Sequence, residues 1–118
     1  MLKSHVSIQA DFDWQQLQQL AGEDADFETE LLTMFLQDAK LSLSQLEGAI
    51  AQQDMLAIAD IAHSLRGSSA NVGAIALSRL ASQLESIVNS GCHLTDAGAL
   101  VQQLHGCCQR IQAYLTTS

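Results

Sequence analysis

Between residues 24 and 53 the apolar positions Leu32, Phe35, Ala39, Leu43, Leu46 and Ile50 recur at spacings of three and four. That period gathers them on one side of an α-helix, whereas a strand would split them between two faces. A helix of this length with one apolar stripe must lay it against other helices. The pattern then repeats. Ile58, Ile61 and Leu65 mark a helix over about 55–71, and Leu77, Leu80, Leu84 and Ile87 mark one over about 74–89. Leu100, Leu104, Ile111 and Leu115 mark a last one over about 95–115. Asp54 reads as an N-cap, and Gly73 and Gly91 read as the turns between helices.

Composition agrees. The chain has no proline and only 4% aromatic residues, and Leu and Ala dominate its apolar content. Helices tolerate such a mixture, while sheets prefer β-branched and aromatic residues. Four amphipathic helices with short connections predict an all-α fold, an antiparallel up-down four-helix bundle. A short additional N-terminal helix is expected from Asp11-Phe12-Asp13-Trp14 to about Ala21, ended by Gly22. Its Phe12, Trp14, Leu17 and Leu20 would cover one end of the bundle. Residues 1–10 read as a flexible leader and 11–118 as one domain, since 118 residues suffice for a single core.

Five Lys and Arg oppose thirteen Asp and Glu, for a formal charge of −8. A nucleic-acid binder needs a basic surface, and an anionic membrane would repel this chain. No stretch reaches membrane-spanning length and the N-terminus lacks an apolar signal region, so a cytoplasmic protein is expected. Cys92, Cys107 and Cys108 are an odd count without framework spacing, which argues against a disulfide scaffold. A zinc site joining them to His93 or His105 would lack the usual ligand spacing, so small apolar core residues are expected. No paired Glu-x-x-His motif points to a metal-binding bundle.

The run His63-Ser64-Leu65-Arg66-Gly67-Ser68-Ser69-Ala70-Asn71-Val72-Gly73 carries the chemistry. If Ile58, Ile61 and Leu65 face the core, His63 lies about 165° from the centre of that face and points to solvent. Ala59, His63, Gly67 and Ala70 form one exposed stripe, bare except for the imidazole. Gly67 inside a helix costs about 1 kcal/mol relative to Ala, which suggests close approach by a partner. Arg66 lies three residues on, one of few cations in an acidic chain, and a guanidinium matches phosphoryl oxygens. An imidazole, with an ordinary pKa of about 6.5, is largely neutral and nucleophilic at physiological pH. A carboxylate could hold one ring N–H and turn the other nitrogen outward; the candidates are Asp60 and Glu85.

These residues resemble the histidine phosphotransfer (HPt) family, which carries His-x-x-Lys/Arg-Gly in one helix of a four-helix bundle, with a further Gly beyond that helix. The match is His63, Arg66, Gly67 and Gly73, and 77–85 resemble the family's next helix. The resemblance implies that His63 accepts the phosphoryl group, Arg66 stabilises it, Gly67 leaves room and Glu85 holds the imidazole. It implies a carrier in a multistep phosphorelay, not an autonomous enzyme. The partners would be response-regulator receiver domains and a hybrid sensor histidine kinase, with the required Mg²⁺ on the receiver and no cofactor in this chain. Lys often stands where this chain has Arg66, a change that bears on transfer rate or partner choice. No Gly-rich phosphate loop suggests an ATP site. The rival reading is an HPt-like module that binds receivers without transferring phosphate. The bundle as read needs no second copy, so a monomer is expected. Met1 and the polar tail Thr116-Thr117-Ser118 weakly favour a free-standing protein over an HPt segment of a longer chemotaxis-type or hybrid kinase.

Overall fold

The structure, a computed structural model, describes residues 8–91 and 94–116. All the regular structure within them is helical. A single 3₁₀ turn at Gln9–Asp11 precedes five α-helices: α1 (Trp14–Ala21), α2 (Ala25–Ala51), α3 (Met55–Asn71), α4 (Ile75–Asn89) and α5 (Leu94–Thr116). Helices α2 to α5 form the bundle. Each of α2 and α4 packs on both α3 and α5. The longest dimension is 46 Å, which suits a 27-residue α2 of about 40 Å plus the α1 end.

Local chemistry explains the boundaries. The Asp54 carboxylate accepts from the Ala57 amide and starts α3. Asp24 accepts from the amides of Asp26 and Phe27 and starts α2. Gly73 closes the α3–α4 turn at φ +78°, a left-handed conformation that favours glycine. A Cβ there would also stand 2.9 Å from the Asp13 carbonyl oxygen. The close approach has a purpose, because the Asp13 amide donates to the Gly73 carbonyl at 2.7 Å.

The predicted stripes form the core. Leu32, Phe35, Ala39, Leu43 and Leu46 of α2 are buried, with Ile58 and Leu65 of α3, Leu77 and Leu84 of α4, and Leu104 and Ile111 of α5. Ile50, Ile61, Leu80, Ile87, Leu100 and Leu115 are partly buried and pack against that core. Cys107 and Cys108 are free thiols in the core. Burial, then the neighbouring Cys107, pushes the Cys108 thiol up to about 11. Burial is also the main cause that raises the Cys107 thiol.

The N-terminal expectations need correction. Ile8, placed in the leader, is fully buried, so packed structure begins before residue 11. Helix α1 begins at Trp14 rather than Asp11, with Asp13 as its cap. Asp11 instead accepts a two-pronged hydrogen bond from Arg110 of α5, with Nε at 2.7 Å and Nη2 at 3.3 Å. Phe12 and Leu17 are buried, but Leu20 is 46% exposed, because α1 turns Leu17 and Ala21 inward instead. Trp14 tilts between Phe12 and Tyr114, at centroid distances of 5.2 and 5.5 Å. No helix among the described residues is long and apolar enough to cross a membrane.

Candidate functional site

The site lies where α3 and α4 meet. Small buried residues, Ala62 on α3 and Ala81 on α4, leave room for the two helices to pack closely. The Ser78 hydroxyl of α4 donates to the Arg66 carbonyl of α3 at 3.3 Å. One and two turns further along α4 come Ser82 and Glu85, which brings the Glu85 carboxylate beside His63.

The His63 side chain is 63% exposed, as the helical geometry requires. Its Nδ1 lies 3.0 Å from Glu85 Oε2 and 2.9 Å from Arg66 Nη2. Arg66 Nε also lies 3.5 Å from Glu85 Oε1. The three side chains thus form a closed triangle. The Glu85 side chain is only 21% exposed, held against the bundle, while Arg66 is 42% exposed. Both partners meet the ring at Nδ1, and neither is hydrogen-bonded to Nε2.

Of the two carboxylates considered for the ring, the structure selects Glu85. Asp60 lies nearly one turn before His63 on an exposed flank of α3 and makes no hydrogen bond to the ring. Arg66 is hydrogen-bonded to His63 and ion-paired with Glu85, contacts that its i+3 spacing did not specify. Gly67 is exposed, and a Cβ added there would meet nothing within 4 Å. No contact among the described residues therefore requires glycine at 67. Ala70 is exposed and Ala59 half-buried, so the bare stripe around the imidazole is present.

The sequence reading passed over one neighbour. Leu56 is 80% exposed and stands seven residues before His63, two turns along the same face of α3. The seven-residue spacing was the available signal. The reading also passed over Gln16 of α1, whose side-chain amide donates to the Ala70 carbonyl at 2.8 Å. It satisfies a carbonyl at the C-terminus of the helix that carries His63.

Among the described residues no group of three or more His, Cys, Asp or Glu is placed to hold a metal ion. His105 Nε2 lies 3.3 Å from Glu47 on the α2–α5 side of the bundle. Cys92 and His93, considered for a zinc site, lie outside the described residues.

Comparison with known proteins agrees with this geometry. A search of curated proteins gave no match. Among solved structures, the chain is similar to histidine-containing phosphotransfer protein B (HptB) from Pseudomonas aeruginosa PAO1, with 28% identity and a TM-score of 0.80, over 89% of this chain and 90% of that one. It also shares its fold with the HPT domain of the Hpt sensor hybrid histidine kinase from Shewanella, at 18% identity and a TM-score of 0.67, again over 89% and 90% of the two chains. The family model of the Hpt domain matches residues 30–114, which span the four bundle helices from early in α2 to near the end of α5. With an exposed histidine on the third helix and the family's bundle around it, this chain belongs to the Hpt domain family, the histidine phosphotransfer proteins of phosphorelays.

Proposed function

We propose that His63 is the phosphoacceptor and that Nε2 is the reacting atom. The observation that carries this reading is the asymmetry of the ring. Nδ1 is engaged by Glu85 and Arg66, while the side chain is 63% exposed and neither partner reaches Nε2. When Nδ1 carries the proton and donates it to Glu85, Nε2 holds an available lone pair.

The donor would be an aspartyl phosphate on a receiver domain. The Nε2 lone pair attacks phosphorus, and the acyl-phosphate P–O bond breaks. The aspartate carboxylate leaves with the bonding pair, its charge offset by Mg²⁺ held on the receiver. Nδ1 keeps its proton, so the phosphorylated ring gains positive charge, which the Glu85 carboxylate balances. Arg66 is close enough to follow the transferred group and pair with its oxygens. Reversing these steps on a second receiver delivers the phosphoryl group. The protein acts as a carrier between cytoplasmic partners, one of which is a hybrid sensor kinase. Leu56, Ala59, Gly67 and Ala70 would present a small, apolar surface on which a receiver can seat its own active site.

Chemical phosphorylation with phosphoramidate tests the reading. Intact-mass and peptide analysis should show one phosphoryl adduct on His63, absent in His63→Gln, and lost when a receiver domain with Mg²⁺ is added. A folded protein that takes no adduct, or takes one elsewhere, would leave a receiver-binding module that does not transfer phosphate.

A further inference from the structure

A ring nitrogen has one in-plane position, filled either by a proton or by a lone pair. At Nδ1 of His63 two partners of opposite demand converge on that position. Glu85 Oε2, at 3.0 Å, is an acceptor and requires Nδ1–H. Arg66 Nη2, at 2.9 Å, is a donor and requires the Nδ1 lone pair. A neutral imidazole satisfies one of them and leaves the other facing a like group. Glu85 and Arg66 also pull on each other, because Arg66 Nε stands 3.5 Å from Glu85 Oε1. That attraction holds both partners at the ring, and the position of one proton decides which of the two is hydrogen-bonded to it.

Resting on the reading that Nε2 is the nucleophile, we propose that Arg66 is a tautomer gate as well as a phosphoryl partner. When Arg66 donates to Nδ1, the ring proton sits on Nε2, and the reacting nitrogen has no lone pair to offer. The guanidinium is then parked on the ring. When the proton moves to Nδ1 and is donated to Glu85, Nε2 becomes nucleophilic. The same shift breaks the bond from Arg66 and frees Nη2 to turn toward the phosphoryl group. Readiness of the nucleophile and release of its charge clamp are therefore one event. Once phosphate occupies Nε2, the ring can hold a proton only at Nδ1, so Arg66 stays off the ring while the group is carried. Arg66 acts here as a positioning residue, through the proton on the ring.

The test is the ring nitrogen spectrum, which needs no phosphotransfer. Uniformly ¹⁵N-labelled protein is studied by ¹H–¹⁵N correlation at a pH where the ring is neutral. The chain has four histidines, and His63→Gln assigns the signals of interest. In the wild type both His63 nitrogens should show intermediate, population-averaged shifts. In Arg66→Ala, Nδ1 should move to the protonated position and Nε2 to the bare, lone-pair position. In Glu85→Ala the movement should be opposite. Backbone amide shifts that change only near the substituted residue show that each variant remains folded. The proposal is overturned if the wild type already sits at the Nδ1–H limit, or if Arg66→Ala leaves both shifts in place. Phosphoramidate treatment of the same sample keeps the two readings apart. Tautomer shifts that respond to Arg66 without any adduct on His63 would leave Arg66 in control of the ring proton but sink the phosphoacceptor assignment, and the gating role with it.

Discussion

Two glycines six residues apart divide this molecule into a part made for itself and a part made for others. Gly73 has a left-handed backbone, and a side chain there would strike the Asp13 carbonyl at 2.9 Å. It exists so that the α3–α4 turn can receive the N-terminal segment. Gly67 has ordinary helical geometry and open space where its Cβ would be. It weakens α3 and gains nothing within the chain. Around Gly73 the surface is closed by Asp13, Gln16 and their hydrogen bonds to 70–73. Around Gly67 it is open, and the one reactive side chain stands out from it. The first region is shaped by packing, the second by access.

Substitutions can break that division or sharpen it. The largest effect belongs to the open face. His63→Gln should abolish phosphoryl loading altogether and leave the urea midpoint nearly unchanged, because the side chain is 63% exposed and its hydrogen-bond partners among the described residues are Arg66 and Glu85. A loss of stability in step with the loss of loading would erase the distinction. Next comes Gly73→Ala, which should destabilise the fold by about 1–3 kcal/mol through backbone strain and the clash with Asp13. Urea denaturation measures this, and phosphoramidate loading of the folded fraction should persist. Gly67→Ala should do the reverse. It should stabilise the protein by about 0.5–1 kcal/mol in the same titration. It should also slow transfer from a receiver domain while loading by phosphoramidate is spared, because a small molecule needs less room than a protein partner.

The mildest prediction concerns alkaline pH and the closed part of the molecule. Burial raises the Cys108 thiol from 9.0 to about 11. Burial, together with the charge and hydrogen bond of Glu28, raises the Tyr114 phenol from 10.0 to about 12. Both groups hold their protons more tightly when folded than when unfolded. Their contribution to stability is therefore complete below about pH 9 and is lost as pH climbs toward 11 and 12. Urea midpoints between pH 8 and pH 11, on the order of one reading per half unit, should fall in the wild type and fall less in Cys108→Ala.

What the sequence made legible follows the range of the forces involved. The span 55–71 was read without error because its start and end are local: Asp54 caps it and Gly73 ends it. The exposure of His63 followed from the position of Ile58 and Leu65 on the same helix. The start of α1 was misplaced because Asp11 and Asp13 are both acceptable cap residues, and the engagement of Asp11 by Arg110 on α5, which leaves Asp13 as the cap, is a contact across 99 residues. Glu85 could be named only beside Asp60, since the decision depends on how closely α4 approaches α3, and that rests on Ala62 and Ala81. The contact of Arg66 with Nδ1 was not legible at all. Its i+3 spacing allowed a guanidinium to reach the ring, but nothing local says which nitrogen it will meet.

The attachment of the N-terminal segment has a consequence for how the chain is made. Asp11 binds Arg110 across 99 residues, and Trp14 packs on Tyr114 of the same last helix. On the ribosome the residues of α1 emerge well before these partners on α5. Helices α2 to α4 can begin to associate as they appear, because neighbouring helices close short loops. The α1 segment must wait for all four bundle helices before it can dock on α5. Its Gln16 amide and Asp13 meet the end of the histidine-bearing helix directly, and the Asp11 and Trp14 contacts with α5 complete the seat. A nascent chain lacking the last two turns of α5 would thus carry His63 on a helix whose end is less firmly held.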